Sequence, residues 1–242
     1  MIAPKVGETS VKPVQDLLQK LVGTLPTLKP SSNFLAVTLM NINSVWHPTI
    51  SYSYYHDKDV TQPLDEPPLF YQGATEHTGE MLDQCSNEVL EVKRVLNEKY
   101  PAMDMSALTH VRDWMLRSYG DDIGDQSNLY RMLVTNKGYR GLTHPTVETV
   151  VDGEKKFLPN FKYRYFSEDL PCGLLVTKGI AELVGVPTPG IDTVLNWAQD
   201  MMGKEYLVDG KLCGKDVAST RAPQSYGFHD LDTFMKANHY AD

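Results

Sequence analysis

The sequence lacks the features of several common protein classes. No apolar run approaches the roughly 18 residues that a membrane-spanning helix needs, and residues 1–5 lack the charged and then apolar layout of a signal peptide. The 242 residues include only three cysteines, which are widely separated and show no C-x-x-C spacing, so they predict neither a disulfide framework nor a zinc site. These absences favour a cytoplasmic location.

Positive charge is also in short supply. The chain has 23 Lys and Arg against 31 Asp and Glu, a net charge of −8, and its basic residues are scattered rather than clustered. Nucleic acid is therefore not an expected partner. The acidic stretch 121–125 lacks the D-x-[DN]-x-[DN]-G pattern of a calcium loop, so no metal site is predicted.

The common catalytic and nucleotide-binding motifs are missing. The sequence contains no G-x-G-x-x-G, no G-x-x-x-x-G-K-[ST], no G-x-S-x-G and no H-E-x-x-H. Complete dinucleotide-binding machinery is therefore absent from this sequence. Any chemistry must depend on other residues.

Residues 1–34 differ in pattern from the remainder. An apolar stretch at residues 2–6 is followed by a helical pattern in which Val14, Leu17, Leu18 and Leu21 share one face. One strand and one helix cannot bury their own apolar faces, so this piece resembles the end of an α/β unit. We expect the chain to begin inside a domain and the apolar face of this helix to be partly exposed.

The rest of the chain is predicted to be mainly α. Apolar residues at helical spacing predict a helix over residues 33–55 that is interrupted near Pro48, and they predict four further helices. Two hairpin turns are predicted at Asp152-Gly153 and Asp209-Gly210. Residues 135–141 are predicted to form a loop that faces a ligand. His144 is predicted to lie in a loop and to have no special role. The other predicted helices cover residues 80–99, 107–119, 191–202 and a short terminal stretch after residue 226.

The stretch 161–171 is an aromatic run with one arginine that ends in acidic residues. Ser167 or Asp169 is predicted to cap the helix that follows, and a helix N-terminus should keep the Asp169 carboxylate charged. His47 is a candidate partner, and the two would form an acid/base pair with Arg164 as a cationic anchor. The residues alone leave open that His47 is only a helix histidine with satisfied hydrogen bonds.

Five segments together resemble the opine dehydrogenases. They occur in the family's order and extend from residue 34 to the C-terminus, which makes them more specific than a short motif. The resemblance is to the helical substrate-binding domain of that family, here residues 35–242, while residues 1–34 resemble the last strand and helix of the preceding Rossmann domain. The segments are NSVWHP at 43–48, PLFYQG at 68–73, TNKGYRGL at 135–142, RYFSEDLP at 164–171, and residues 203–218.

The resemblance implies a reaction and a role for each matching residue. Such enzymes condense the amino group of an amino acid with the keto carbon of pyruvate and reduce the imine with a hydride from NADH. His47 matches the family's catalytic histidine, Asp169 its aspartate partner, and Arg164 an arginine that contacts the cofactor pyrophosphate. Asn43 and Trp46 fall on the substrate-binding surface. Octopine-forming members carry a tyrosine where this chain has Asn43, so a smaller amino partner such as glycine, alanine, β-alanine or taurine is possible.

Two other interpretations fit part of the pattern. The chain could be a helical binding module or gene fragment that kept the family's scaffold without catalysis. It could also belong to another two-domain dehydrogenase with a helical half, similar to ketopantoate reductase or glycerol-phosphate dehydrogenase, although these lack the pairing of the 43–48 and 164–171 segments. The opine reading predicts that His47 and Asp169 meet, and that Arg164 opens onto the same cleft without a carboxylate partner.

Overall fold

The computed structural model describes residues 11–31 and 33–238, and it is mainly helical within them. Two short antiparallel hairpins are the named strands of this part of the chain: β1 (Thr146–Val151) with β2 (Glu154–Pro159), and β3 (Leu207–Val208) with β4 (Lys211–Leu212). The predicted fold class is thus confirmed, while the strand expected at residues 2–6 lies outside the described residues. The helices are α1 (Val11–Val22), α2 (Phe34–Leu39), α3 (Ile42–Tyr55), α4 (Glu76–Lys99), α5 (Val111–Tyr119), α6 (Leu129–Thr135), α7 (Arg164–Ser167), α8 (Leu175–Val184), α9 (Pro189–Met202) and α10 (Leu231–Ala237).

Helix α3 lies at the centre of the core. It packs against α4, α9, α7 and the wide helical turn Leu170–Leu174 that leads into α8. Ten of its fourteen residues are buried, including Trp46 and Ile50, so this helix is enclosed by the protein on almost every side. Any functional side chain on α3 is therefore held by a rigid element.

The predicted interruption of this helix at Pro48 is wrong. The chain leaves helical geometry at Met40 and Asn41, where Asn41 has ψ of 88°, and α3 then continues through Pro48. Proline removes only one backbone donor, here the one that would reach the carbonyl of Ser44, and tertiary packing on a buried helix offsets that loss. The segment before the break, α2, begins at its own cap, Asn33, whose Oδ1 accepts from the backbone N–H of Ala36 at 2.7 Å.

Three predicted helices exist but begin at other residues, and each begins directly after a capping side chain. Helix α4 follows Thr75, whose hydroxyl and that of Thr78 form a reciprocal capping box. Helix α5 follows His110, which accepts from the N–H of Arg112 at 3.1 Å, and α10 follows Asp230, which accepts from the N–H of Thr233 at 2.8 Å. Capping therefore decided these boundaries more than apolar spacing did.

Both predicted hairpin turns are confirmed. Asp152 and Gly153 have φ of 52° and 81°, and Asp209 and Gly210 have φ of 50° and 75°. Two successive positive φ values define the turn that matches the right-handed twist of a two-residue hairpin. Aspartate and glycine are among the residues that adopt them at low cost.

The apolar face of α1 is exposed, as expected. Val14 is 45% exposed, Leu17 60% and Leu21 74%, while Leu18 is half-buried. Exposed apolar side chains that lie together in this way are typical of interaction surfaces. The assignment of residues 1–34 to a Rossmann domain stays a prediction. None of the helices in the described ranges combines the length and apolarity that a bilayer crossing requires.

Candidate functional site

His47 and Asp169 meet in the structure. The Nδ1 atom of His47 lies 2.7 Å from Oδ2 of Asp169. Both side chains are largely buried, with His47 only 6% exposed as a residue. The predicted contact between these two residues is confirmed, while their catalytic roles remain predictions.

The hydrogen bond selects one form of the imidazole. An ionised carboxylate only accepts hydrogen bonds, so the Nδ1–H group of His47 is assigned as the donor of the hydrogen bond to Asp169. The second ring nitrogen, Nε2, is then the atom that can give or take a proton. Across the described chain, no protein group hydrogen-bonds to Nε2. The pair therefore has the arrangement of a general acid/base with an orienting carboxylate.

Asp169 lies at an unusually wide point of a helical run. Its backbone N–H donates to the carbonyl of Arg164 at 3.2 Å, and its own carbonyl accepts from the N–H of Leu174 at 2.9 Å. Both bonds span five residues, which is the π-helical spacing, so the wide turn Leu170–Leu174 and the residue before it form a π turn. Single π turns inside helices are frequent at functional sites. The wide turn directs Asp169 toward α3.

The predicted capping role of Ser167 or Asp169 is wrong. Asp169 has helical dihedral angles, φ −67° and ψ −26°, and its side chain makes no cap hydrogen bond. Ser167 is the last residue of α7. Because α7, the π turn and α8 follow one another almost without a break, few backbone N–H groups need a cap, and the carboxylate of Asp169 is free to bind His47.

A glycine allows the two halves of the pair to approach. Gly173 in the π turn packs on α3, and a Cβ atom added there would overlap Cβ of Ser44 and lie 3.3 Å from Nδ2 of Asn41. Ser44 is one turn before His47 on α3. Close backbone approach is a recurrent reason for glycine inside a helical element.

Two aromatic rings enclose the imidazole, and the sequence prediction missed both. The ring of Tyr165 stacks on His47 with centroids 3.6 Å apart and 13° between planes, and Phe70 packs edge-on at 5.8 Å and 63°. Burial raises the pKa of the Tyr165 phenol, as do the neighbouring Tyr163 and Asp169, while Arg164 lowers it. The sequence did contain one signal for Tyr165. It precedes Asp169 by four residues, and this spacing places both side chains on one face of a helical run.

The remaining predicted site residues differ in exposure. Arg164 is exposed at the start of α7, and within the described residues no carboxylate pairs with its guanidinium. Asn43 is exposed on the first turn of α3, four residues before His47 and so on the same helix face. Trp46, in contrast, is 1% exposed and packs against Tyr71 and Trp114. Its substrate contact stays a prediction, and the burial of the ring argues against it.

The predicted ligand-facing loop is locked onto a neighbouring segment. Tyr139 is buried and stacks on Tyr71 with centroids 3.9 Å apart, and the N–H of Gly141 donates to Oε1 of Gln72 at 2.7 Å. Only the charged side chains of Lys137 and Arg140 are exposed. The 135–141 segment therefore mainly supports the 68–73 segment, which carries Phe70.

His144 is not the simple loop histidine that the sequence predicted. It is 2% exposed, packs against Tyr54, Tyr55 and Phe70, and both ring nitrogens lack a hydrogen bond. Burial lowers its pKa to about 3, and the nearby positive charge of Lys58 adds to the effect. The imidazole is therefore neutral at neutral pH and backs the ring of Phe70.

Comparisons with known proteins agree with this geometry. Residues 30–202 match the family model described as "NAD/NADP octopine/nopaline dehydrogenase, alpha-helical domain". The chain is 44% identical over 234 residues to the tauropine dehydrogenase of Arabella iricolor, covering 97% of this chain and 56% of that protein. It is 41% identical to the octopine dehydrogenase of Pecten maximus, covering 97% and 58%.

A solved structure shows the same likeness. The chain is similar to octopine dehydrogenase with NADH and L-arginine, with a TM-score of 0.84 and 42% identity, over 92% of this chain and 54% of that one. The chain thus spans about half the length of the relatives that it matches. The family match covers most of the chain and includes both members of the acid/base pair, and the chain therefore belongs to the octopine/nopaline dehydrogenase family, of which it contains the alpha-helical domain.

Proposed function

We propose that this chain is the substrate-domain part of an NADH-dependent opine dehydrogenase that joins pyruvate to an amino acid or taurine. The observation that carries the proposal is the 2.7 Å contact between His47 and Asp169 in a member of this family. The names of the relatives supply the reaction class. Catalysis is assigned to His47 and Asp169, and cofactor contact to Arg164.

His47 supplies the proton in the proposed mechanism. With Nδ1 bonded to Asp169, an Nε2–H would polarise and protonate the keto oxygen of pyruvate as the amino group attacks the keto carbon. Loss of that oxygen as water leaves the imine. Asp169 holds the imidazole in this tautomer and balances the positive charge that His47 carries before it gives up the proton.

The cofactor requirement fits the residues present only in part. When bound, NADH supplies the hydride that reduces the imine carbon. Arg164 has a fixed, always-charged fork, is exposed, and is not neutralised by a carboxylate in the described structure, which suits an anionic pyrophosphate. One arginine is not a dinucleotide site, because pyrophosphate binding also needs the glycine-rich turn and helix N-terminus that this sequence lacks.

We therefore propose that turnover needs a nucleotide-binding domain joined to this one. Supporting observations are the length of the relatives, of which the chain spans 56% and 58%, and the exposed apolar face of α1. In this proposal residues 1–34 are the end of a Rossmann domain, and residues 35–242 form the substrate domain. The isolated chain should be inactive.

The side chain at position 43 bears on the identity of the amino substrate. Asn43 lies on the same face of α3 as His47, so its side chain is placed to meet the amino partner. An amide is shorter than the tyrosine of octopine-forming members and has no aromatic surface. We therefore propose a partner smaller than arginine.

The experiment joins this chain in frame to the nucleotide domain of the Arabella iricolor tauropine dehydrogenase. NADH oxidation should require pyruvate and an amino compound together, because the imine forms from both, and arginine should be a poor donor. The unfused chain and reactions that lack one substrate are the controls. A correctly folded fusion with no activity on any donor would support the non-catalytic module instead.

A further inference from the structure

The imidazole of His47 is positioned by more than its hydrogen bond. The bond to Asp169 fixes Nδ1, but a single hydrogen bond tolerates a range of angles and so leaves the plane of the ring poorly defined. The parallel ring of Tyr165, 3.6 Å away with 13° between planes, restricts that freedom on one face. Phe70 closes a second side edge-on.

We propose that Tyr165 is a positioning residue that sets the plane of the His47 imidazole and thereby aims Nε2 at the reacting oxygen. The inference rests on the proposed function, in which Nε2 delivers a proton. Proton transfer requires Nε2 within hydrogen-bond reach of that oxygen, and a misplacement of about 1 Å can cost about a hundredfold in rate.

The helical run that carries Asp169 also carries Tyr165. The two residues are four apart, and residues at that spacing share a helix face. One rigid element therefore presents both the carboxylate and the stacking ring to the same imidazole. Arg164, the proposed cofactor contact, directly precedes Tyr165, so a shift of this element would move all three groups together.

Tyr165 is itself held in place. Its ring lies 5.3 Å from that of Phe70 and 5.1 Å edge-on from that of Tyr163. Phe70 in turn packs against the buried His144 at 4.6 Å. The stack on His47 is thus one contact in a continuous aromatic cluster, in which Tyr165 has restricted freedom to rotate.

The chemical state of Tyr165 suits this role. Burial raises the pKa of its phenol, so the ring is uncharged at neutral pH. An uncharged aromatic face attracts a cation, and it also packs on the neutral imidazole. The stack can therefore hold His47 both before and after proton transfer. The ring, rather than the hydroxyl, should matter.

The first test uses the chain itself and does not depend on activity. NMR of the His47 ring would compare the native chain with Tyr165→Leu, Tyr165→Phe and, as a control, Tyr226→Leu, which removes an exposed tyrosine of the turn Pro223–Tyr226. The stacked ring should shift the His47 ring protons upfield, and the Nδ1 proton should exchange slowly. Tyr165→Leu should abolish the shift and speed the exchange, whereas Tyr165→Phe and the control should retain both.

Two outcomes would overturn the proposal. If Tyr165→Leu removes the upfield shift but leaves the Nδ1 proton unchanged, Tyr165 packs on His47 without positioning it. If Tyr165→Phe behaves like Tyr165→Leu, the hydroxyl and not the ring is responsible. Should Tyr165→Leu fail to fold, Tyr165→Met, whose unbranched and flexible side chain can fill the space without a ring, provides the same comparison.

The second test measures turnover in the fusion with a nucleotide domain. Tyr165→Leu should lower kcat by about tenfold to a hundredfold, the scale of a misaimed catalytic group, with little change in the KM for pyruvate. Tyr165→Phe should recover most of the rate. An unchanged kcat in Tyr165→Leu contradicts the proposal, whereas a fusion with no activity in any form contradicts the proposed function and leaves the NMR result standing.

Discussion

His47 and Asp169 are separated by 122 positions in the chain, yet their Nδ1 and Oδ2 atoms lie 2.7 Å apart in a largely buried contact. One residue comes from the middle of the central helix α3 and the other from the π turn that packs across it. The geometry of the proposed acid/base pair therefore depends on how closely these two elements pack.

Asp169→Asn should impair turnover while preserving the fold. An amide can present either its oxygen or its NH₂ group to Nδ1, so the imidazole loses its defined tautomer and its charge partner. In the fusion we expect kcat to fall by about a hundredfold or more. Asp152→Asn in the exposed hairpin turn is the matched control and should change nothing. Equal rates in the two variants would show that Asp169 does not orient His47.

Gly173→Ala should weaken both stability and the site. The added methyl group would overlap Ser44, so α3 and the π turn must separate, and overpacking of this kind costs about 1–3 kcal/mol of unfolding free energy. Gly124→Ala is the control, since a Cβ there meets only ordinary contacts, the nearest at 3.4 Å. Urea unfolding of both variants measures the difference. A Gly173→Ala chain as stable as Gly124→Ala would refute the close approach.

Acid should destabilise the chain through His144. Its folded pKa of about 3 lies below the unfolded value, so the unfolded state binds the extra proton first. Stability from this group is complete above about pH 6.5 and falls by about 1.4 kcal/mol per pH unit as the pH drops toward the folded pKa. Urea unfolding at several pH values should show this slope.

The assignment of that slope can be checked by substitution. His144→Phe fills the apolar site without a titrating group, so most of the acid dependence above pH 4.5 should disappear. His229→Phe, at an exposed histidine, is the control and should keep the native slope. A native slope in His144→Phe would place the acid sensitivity elsewhere.

The exposed face of α1 should make the isolated chain self-associate. Val14, Leu17 and Leu21 form a contiguous apolar surface that no described element covers. Light scattering should show association that Leu17→Lys together with Leu21→Lys abolishes. Val150→Lys, at another exposed apolar residue, should leave it unchanged. A monodisperse native chain would contradict the prediction that the exposed face of α1 drives association.

Sequence reasoning reached the fold and the acid/base pair because both depend on long, ordered segments. The family resemblance placed His47 and Asp169 in one site, and the hairpin turns followed from local dihedral preferences at Asp-Gly pairs. What it missed depends on tertiary contacts. The stack of Tyr165 on His47, for example, arises from the crossing of two elements distant in sequence.

The errors have the same origin. The sequence also does not show burial: Trp46 lies in a segment that resembles the family's site, yet its ring is buried in the core. The proline predicts a helix break near Pro48, but core packing keeps α3 helical through this residue. Asp169 was expected to cap a helix, whereas the π turn removed the need for a cap.

The most direct test of the account is the rate of the His47→Ala fusion with pyruvate and an amino donor. Without the imidazole, no group in the described site replaces Nε2 as the donor of the proton to the keto oxygen. We therefore expect kcat to fall by about a hundredfold or more relative to the native fusion. The native fusion and the variant must first give the same circular dichroism spectrum. Full activity in His47→Ala would contradict the proposed mechanism.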